Sequence, residues 1–558
     1  MPMEAFIGCT NYVIGELIGM LLEYSAGTMY VNQAAPPSES QFILTLLSDG
    51  SYSLGELPDQ RSTDSQYLLV DPLNKTVVIN TSWYGESPLF YLLMENYILI
   101  TDSFEDFYSK SALHQIDLEL DRIALLESMI FDNVLRERTF FKNIKKIVPG
   151  RQIHIDIIKG QESYERKFVL PFNSSTIPGN SKVLLDEATD ILRGLLDAVS
   201  LDDQRLLLPL SAGLDSRLLA CLLQDKGLKF ESIVFGPRES IEPFVAKRVA
   251  ALLGINLAHL ELKDAYYLDY GRRVTYRTGG LSCHRHCHLY ACLANLDLQY
   301  DTIVHGYMGD VYSGGAQSDV ATNYAISESE AIQKFLKVHV ERVGIWKLLT
   351  DEERFAITTD LQAVMDESNT VNLPCHFDEY IHNVDRQFGL TANIFAPINQ
   401  FGTVLRPFAN YEYATFFNSL PAPLRSDRLL FRNACKVLFP EPFNIGNQDQ
   451  FFAKASMLGR LEAMAFNVYK VVAYASMVAS QGRFVLRNPK SIERHRELLT
   501  GTLQDPFKES IRAMSAILDR DLSFLSGVHF GNRRELDSQF RILSAHTLIM
   551  ELQGSLRV

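Results

Sequence analysis

The 558-residue sequence predicts two unlike parts. The first is α+β with much antiparallel sheet; the second is an α/β doubly wound parallel sheet followed by a helical C-terminal extension. Three observations carry this. Up to about residue 170, short alternating runs are cut by turn pairs such as Asp49-Gly50 and Pro149-Gly150. Between Arg205 and His305, apolar strand-like runs alternate with helical ones, the pattern of βαβ units. From about Ser327, helical periodicity dominates.

In order along the chain, strands are expected at Gln41–Leu47, Gln66–Val70, Thr76–Asn80, Tyr97–Thr101 and Gln152–Ile157, with helices at Val13–Tyr24 and Asp121–Phe131. The polar run Phe172–Asn180 reads as a linker and divides the chain into 1–170, 171–180 and 181–558. Beyond it the sequence predicts a helix over Lys182–Ser200 and a strand over Arg205–Leu210. A helix over Arg217–Lys226, a strand over Phe230–Phe235 and an amphipathic helix over Ile241–Leu253 come next. Strands follow at Asn256–Leu262 and Asp301–His305. The leucine-rich stretch Arg541–Gln553 is expected in the core or at an interface.

Composition excludes some functions. A net charge of -14 argues against non-specific nucleic-acid binding, which needs a basic surface. Seven cysteines (Cys9, Cys221, Cys283, Cys287, Cys292, Cys375, Cys435) in so long a chain do not make a disulfide framework, so a reducing, cytoplasmic setting is expected. No run approaches the roughly 20 apolar residues of a membrane span. Glu4, Glu16 and Glu23 interrupt the N-terminus, which lacks the pattern of a signal peptide.

The most informative segment is Leu208-Pro-Leu-Ser-Ala-Gly-Leu-Asp-Ser-Arg217. A strand ends at Ser211, a small-residue turn follows, and a helix begins near Ser216. Ala212 and Gly213 let the backbone approach a ligand closely. Their amides, with the hydroxyls of Ser211 and Ser216, can surround a pyrophosphate at a helix N-terminus. Asp215 would then face Mg²⁺, since a carboxylate beside phosphate oxygens needs a cation between them.

This segment resembles the pyrophosphate loop Ser-Gly-Gly-x-Asp-Ser of the N-type ATP pyrophosphatases, with Ala212 at the first glycine. The resemblance implies that Ser211, Ala212, Gly213, Leu214 and Ser216 hold ATP. A second segment, Val304-His-Gly-Tyr-Met-Gly-Asp-Val-Tyr-Ser-Gly-Gly315, resembles the Gly-x-Gly-x-Asp-Glu segment of the asparagine synthetase family. It implies Gly306 in the nucleotide site and Asp310 as a second Mg²⁺ ligand, with Val311 where the family has Glu. Val234, Phe235 and Gly236, at the end of the second strand of the sheet, are implied to hold adenine.

The resemblance reaches the N-terminal part, which it implies to be an Ntn-hydrolase-like antiparallel sandwich. Trp83-Tyr-Gly-Glu-Ser-Pro-Leu-Phe-Tyr91 resembles a hairpin of class II glutamine amidotransferases, and Arg138–Gly150 the element that closes their domain. Their amidase needs a cysteine exposed by Met removal. Position 2 here is Pro2, Cys9 would need further processing, and no Asn-Gly-Glu element is present. A non-catalytic scaffold follows.

What the resemblance implies is adenylation of a carboxylate and transfer of the acyl group to an amine. Both could be small molecules or lie on a precursor peptide; a homo-oligomer or a peptide-processing partner stays open. Tyr307 stands where asparagine synthetases have Glu and β-lactam synthetases a tyrosine that helps deprotonate the attacking nitrogen. Glu341 is its candidate partner by spacing. Lasso-peptide cyclases share the lost amidase. The lysine the family uses late in the reaction is expected within Gly446–Phe451, which has none; Lys454 is the nearest substitute and Lys436 the other candidate. The alternatives are an ammonia-using asparagine synthetase, another N-type pyrophosphatase acting on a nucleobase carbonyl, and a non-catalytic nucleotide-binding partner.

Two further segments are expected to be structural or substrate-lining. Cys283-His-Arg-His-Cys-His288 places Cys and His pairs at i,i+4, on shared faces if helical, without a second pair at zinc-finger spacing. Arg406-Pro-Phe-Ala-Asn410 resembles a family element that folds against the synthetase pocket.

Overall fold

The structure is a computed structural model. It describes residues 76–84, 88–93, 98–101, 104–105, 107–108, 118–168, 170–172, 181–296, 299–315, 325–340, 344–368, 374–447, 451–452, 456–479, 498–499, 501–526, 533–552 and 556–557, and, as backbone alone, the strands before residue 76.

Five parallel strands form the central sheet: β1 Leu206–Pro209, β2 Phe230–Phe235, β3 Leu257–Leu260, β4 Thr302–Val304 and β5 Thr403–Leu405. Their order is β3-β2-β1-β4-β5. β1 and β4 carry unbroken apolar runs because both faces of a parallel sheet are covered; Leu206, Leu207, Leu208, Ile303 and Val304 are all buried. Helices Leu214–Asp225 and Ile241–Leu253 follow β1 and β2, and the second ends at Gly254 in the left-handed conformation (φ 65°). The order reverses between β1 and β4, and in such a sheet the crevice beyond the carboxyl ends at this point is where ligands bind. The sequence predicts β1 to β4. β5 lies in a stretch expected to be helical; at three residues it is too short to show a period.

In the N-terminal part, Thr76–Asn80 pairs antiparallel with Arg151–Asp156, which forms a hairpin with Gln161–Arg166. Phe90–Leu93 pairs antiparallel with Ile98–Thr101 and with Ile144–Lys146. Alternation sorts the side chains: Tyr91, Ile98 and Ile100 share a cluster with Val77, Ile79, Ile153 and Ile155, whereas Phe90, Leu92 and Leu99 join the main core. The helix expected over Val13–Tyr24 is corrected at its end, where Met20–Tyr24 is a strand paired with Ile98–Thr101. A five-residue run with Glu23 among apolar residues fits either period, and tertiary pairing decides. The linker residues 173–180 lie outside the described residues.

The helix Arg122–Phe131 joins this part to the rest. Asp121 caps it, its Oδ1 accepting from the amides of Ile123 (2.9 Å) and Ala124 (3.1 Å). Its face of Leu125, Leu126, Met129 and Ile130 is buried, and Met129 O accepts from Ser538 Oγ on the long C-terminal helix Arg533–Glu551. Gly279 and Gly280 turn with positive φ beneath Phe104 and Phe140, whose rings a Cβ at either position would overlap. Among the described residues no helix is long and apolar enough to cross a membrane. Helix Met457–Ala479 exposes Met457, Leu461, Met464, Val468 and Val471 by more than half, an apolar stripe of the kind that marks an interaction face.

Candidate nucleotide site at the sheet edge

The turn after β1 closes on itself. The Ser211 amide donates to Ser216 Oγ (3.0 Å), the Gly213 amide donates to Ser211 Oγ (3.0 Å), and the two hydroxyls lie 3.0 Å apart. Gly213 is the N-cap of the helix that starts at Leu214. The buried Arg217 sits beneath: its guanidinium donates to Ala212 O (3.0 Å), Gly446 O (2.7 Å) and Pro442 O (3.1 Å). One side chain thus ties the turn to the segment after helix Leu429–Leu438.

The turn after β4 lies against it. A Cβ on Gly309 would overlap the Asp215 carboxylate, and one on Gly306 would stand 3.1 Å from the Ser216 amide and 3.2 Å from Asp215 Cβ. Met308 takes φ 73° between them, and the Tyr413 hydroxyl donates to Gly309 O. Asp215 and Asp310 are therefore brought together at the switch point, Asp215 largely covered and Asp310 exposed. Burial pushes the Asp215 carboxyl above its ordinary range; Arg428 opposes the shift and the charge of Asp310 adds to it.

Asp215 is held by an arginine. Both its oxygens accept from the guanidinium of Arg428, one at 3.2 Å, and that guanidinium also donates to Ser313 Oγ (2.7 Å) and Gly309 O (3.2 Å). It stacks over Phe431, 4.1 Å from the ring centroid. Asp427 and Arg428 both adopt positive φ, which turns the arginine inward. This bears on the expected Mg²⁺. Among the described residues no group of three His, Cys, Asp or Glu side chains could hold a metal. The two expected Mg²⁺ ligands thus stand as one carboxylate engaged by Arg428, Asp215, and one exposed carboxylate, Asp310.

The turn after β1 is also met by an unpredicted acid. The half-buried Glu242 accepts from the Ala212 amide, and desolvation raises its carboxyl above the ordinary range. At the end of β2, Gly236 has φ 119°; its amide donates to Leu260 O (3.2 Å) and its carbonyl bonds the His259 ring (2.8 Å). Val234 is buried, and Phe235 remains partly open.

Tyr307 is buried against Phe395 (5.0 Å between centroids) and donates to Gln387 O (3.4 Å). Burial pushes its phenol well above the usual range, with Arg406 and Arg386 opposing. As placed it is a neutral phenol. Glu341 and Lys454 lie outside the described residues, as do Pro2 and Cys9; Lys436 is exposed on its helix. His284–Cys287 is a 3-10 turn and an α-helix begins only at His288, so the i,i+4 spacing does not give shared helix faces. His284 bonds Ser544 Oγ (2.9 Å) and His288 bonds Tyr267 (2.8 Å). Asn410 caps the helix Tyr411–Ser419, and Arg406 lies over Phe395.

Arg428, Glu242 and Gly309 are the site residues that sequence reasoning missed. Gly309 stands inside a recognised segment, and its close approach could have been read from the second glycine. Arg428 and Glu242 carry no local signal.

No family model matches the chain, and no curated protein matches it. Among solved structures, that of NMN synthetase from Francisella tularensis aligns at 14% identity over 41% of this chain and 95% of the other, with a TM-score of 0.17, too slight a likeness to fix a shared fold.

Proposed function

We propose that the chain is an ATP-using ligase that adenylates a substrate carboxylate and passes the acyl group to an amine, as in the asparagine synthetase and β-lactam synthetase families its motifs resemble. The observation that carries this is the meeting of the two turns that bear Asp215 and Asp310 at the reversal of the parallel sheet. In this reading residues 1–170 are a degenerate amidotransferase-like domain of Ntn-hydrolase type and residues 181–558 the synthetase. ATP binds as substrate along Ser211–Ser216, Gly306 and Val234–Gly236. The carboxylate oxygen attacks the α-phosphorus and pyrophosphate leaves; the amine nitrogen then attacks the acyl carbon, and AMP leaves as the amine proton is lost. Arg428 supplies the positive charge beside the departing groups that was sought at Lys454. Tyr307 enters as a neutral hydrogen-bonding wall. The substrates are a carboxylate and an amine, on small molecules or a precursor peptide.

Asp310→Asn tests this, because Asp310 is exposed and its loss leaves the core intact. In this reading Asp310 would hold the Mg²⁺ that accompanies ATP, so pyrophosphate release with AMP formation should fall by roughly 10²–10³ in the variant, the scale of removing one electrostatic group from such a site. Unchanged turnover overturns the assignment.

A second reading, a nucleotide-site fold without catalysis, draws on Glu242 and Arg428, which satisfy the Ala212 amide and Asp215 from within the chain. Calorimetric titration with Mg-ATP separates the two: no heat of binding, in the chain or in Glu242→Gln, favours the non-catalytic reading.

A further inference from the structure

We propose that the cavity beside Ile381 and Arg386 binds the substrate acid, and that this acid is a monocarboxylate on a short apolar body. The inference rests on the ligase reading and names its substrate class. The cavity, of about 170 Å³, lies between the end of helix Arg122–Phe131 and the π-helical stretch Ile381–Thr391. A single water needs about 10–15 Å³ on such a measure, so there is room for a group several times larger.

Its walls are of two kinds. Ile130, Phe131, Phe335 and Ile381 give an apolar lining, and Asn133, His382 and Arg386 a polar one. The acids that also reach the wall are already engaged: Asp132 by Arg285, Arg541 and Arg386, Asp537 by Arg285, and Asp378 by His339 at 2.7 Å. Arg386 is not: among the described residues it donates only to Asp132, at 3.4 Å, which leaves most of its N–H groups to solvent or a ligand. A spare guanidinium facing spent acids selects an anionic acceptor, and its shape matches a carboxylate.

One hydrogen bond links the π-helical stretch that lines the cavity to the turn after β4. Tyr307, three residues before Asp310, donates to the carbonyl of Gln387, the neighbour of Arg386. His382 on the same π-helical stretch feels the charge of Asp310. Long π-helical segments are rare and concentrate at functional sites.

The test is calorimetric titration of the full chain, without ATP, with isovalerate, phenylacetate and their primary amides. An acid should bind at least tenfold more tightly than its amide. Arg386→Gln should erase that preference. Ile381→Trp, which fills the apolar wall without touching the arginine cluster, should weaken the acid at least tenfold. Equal binding of acid and amide, no binding of either acid, or an Ile381→Trp variant that binds like the parent overturns the proposal. Acid binding that responds to both variants, with no pyrophosphate formed on adding ATP, keeps the cavity assignment and sinks the ligase reading. Pyrophosphate formed with an acid whose KM is unchanged in Ile381→Trp does the reverse.

Discussion

Two aspartates in this molecule are each met by arginine, and their surroundings make them opposites. Asp132, at the end of helix Arg122–Phe131, is held by Arg285, Arg541 and Arg386. Burial alone would raise its carboxyl, yet the three guanidinium groups hold it below the ordinary range. Asp215 has one arginine and a second acid nearby, and its carboxyl is raised. An over-neutralised acid is a fastening. An under-neutralised acid at an open crevice has room for more positive charge, and perturbed groups of this kind gather where chemistry is done. The arginines of Asp132 come from regions 153 to 409 residues away in sequence, so that cluster draws the N-terminal part onto the long C-terminal helix.

The largest effect should come from breaking the fastening. Asp132→Asn leaves the buried Arg285 and Arg541 and the partly exposed Arg386 facing a neutral amide, and removing one partner of a buried pair costs about 3–5 kcal/mol. Denaturant unfolding should show a loss of that size. Because Arg541 and Arg386 each lose the one acidic partner they have among the described residues, while Arg285 keeps Asp537, restoring stability by a second substitution at any single arginine should fail. The linkage sign agrees: the depressed carboxyl gives stability that is present above its unfolded value, near pH 3.9, and is lost as pH falls through the folded one. The acid limb of the stability curve should therefore be blunted in the variant. A loss under about 1 kcal/mol, or full rescue by one arginine change, would abolish the distinction drawn here.

The pair at the sheet edge should behave differently. Arg428→Met strands one acid, so it too should destabilise, but the double variant Arg428→Met/Asp215→Asn should recover to within about 1 kcal/mol of the parent, since replacing both partners is far cheaper than removing one. Unfolding midpoints of the two single variants and the double one give the coupling directly. Recovery at Asp215 without recovery at Asp132 is the sharpest form of the comparison.

These pairs also show what the sequence made legible. β1 to β4 and both turns were readable because their signals are local: leucine and valine runs buried on two faces, small residues at strand ends, glycines where the backbone must pass close to a side chain. The meeting of Asp215 and Asp310 followed from two strand ends at one sheet edge. Arg428 was not readable. It stands 213 residues from Asp215, and its inward turn depends on two consecutive positive φ angles at Asp427 and Arg428, residues that rarely adopt them. Glu242 looked like an ordinary acid in the first turn of a helix. For the run Cys283–His288 the expected packing role fits, but the assumed helical period does not: a 3-10 turn buries Cys283, His284 and Cys287.

The smallest effect expected is at Tyr307. A tyrosine acting as base would need its phenolate within reach of neutral pH, but burial drives this phenol upward and its hydroxyl donates to Gln387 O. Tyr307→Phe should therefore lower kcat less than tenfold and leave the pH–rate profile unchanged up to about pH 10, the ordinary phenol value. It removes one hydrogen bond between the nucleotide site and the stretch Ile381–Thr391, a loss of roughly 1 kcal/mol, which should appear as a modest rise in the KM of the acid. A fall of a hundredfold or more in kcat, with a new alkaline limb in the profile, would make Tyr307 the proton acceptor and would require a conformation in which the phenol leaves Gln387 for the crevice.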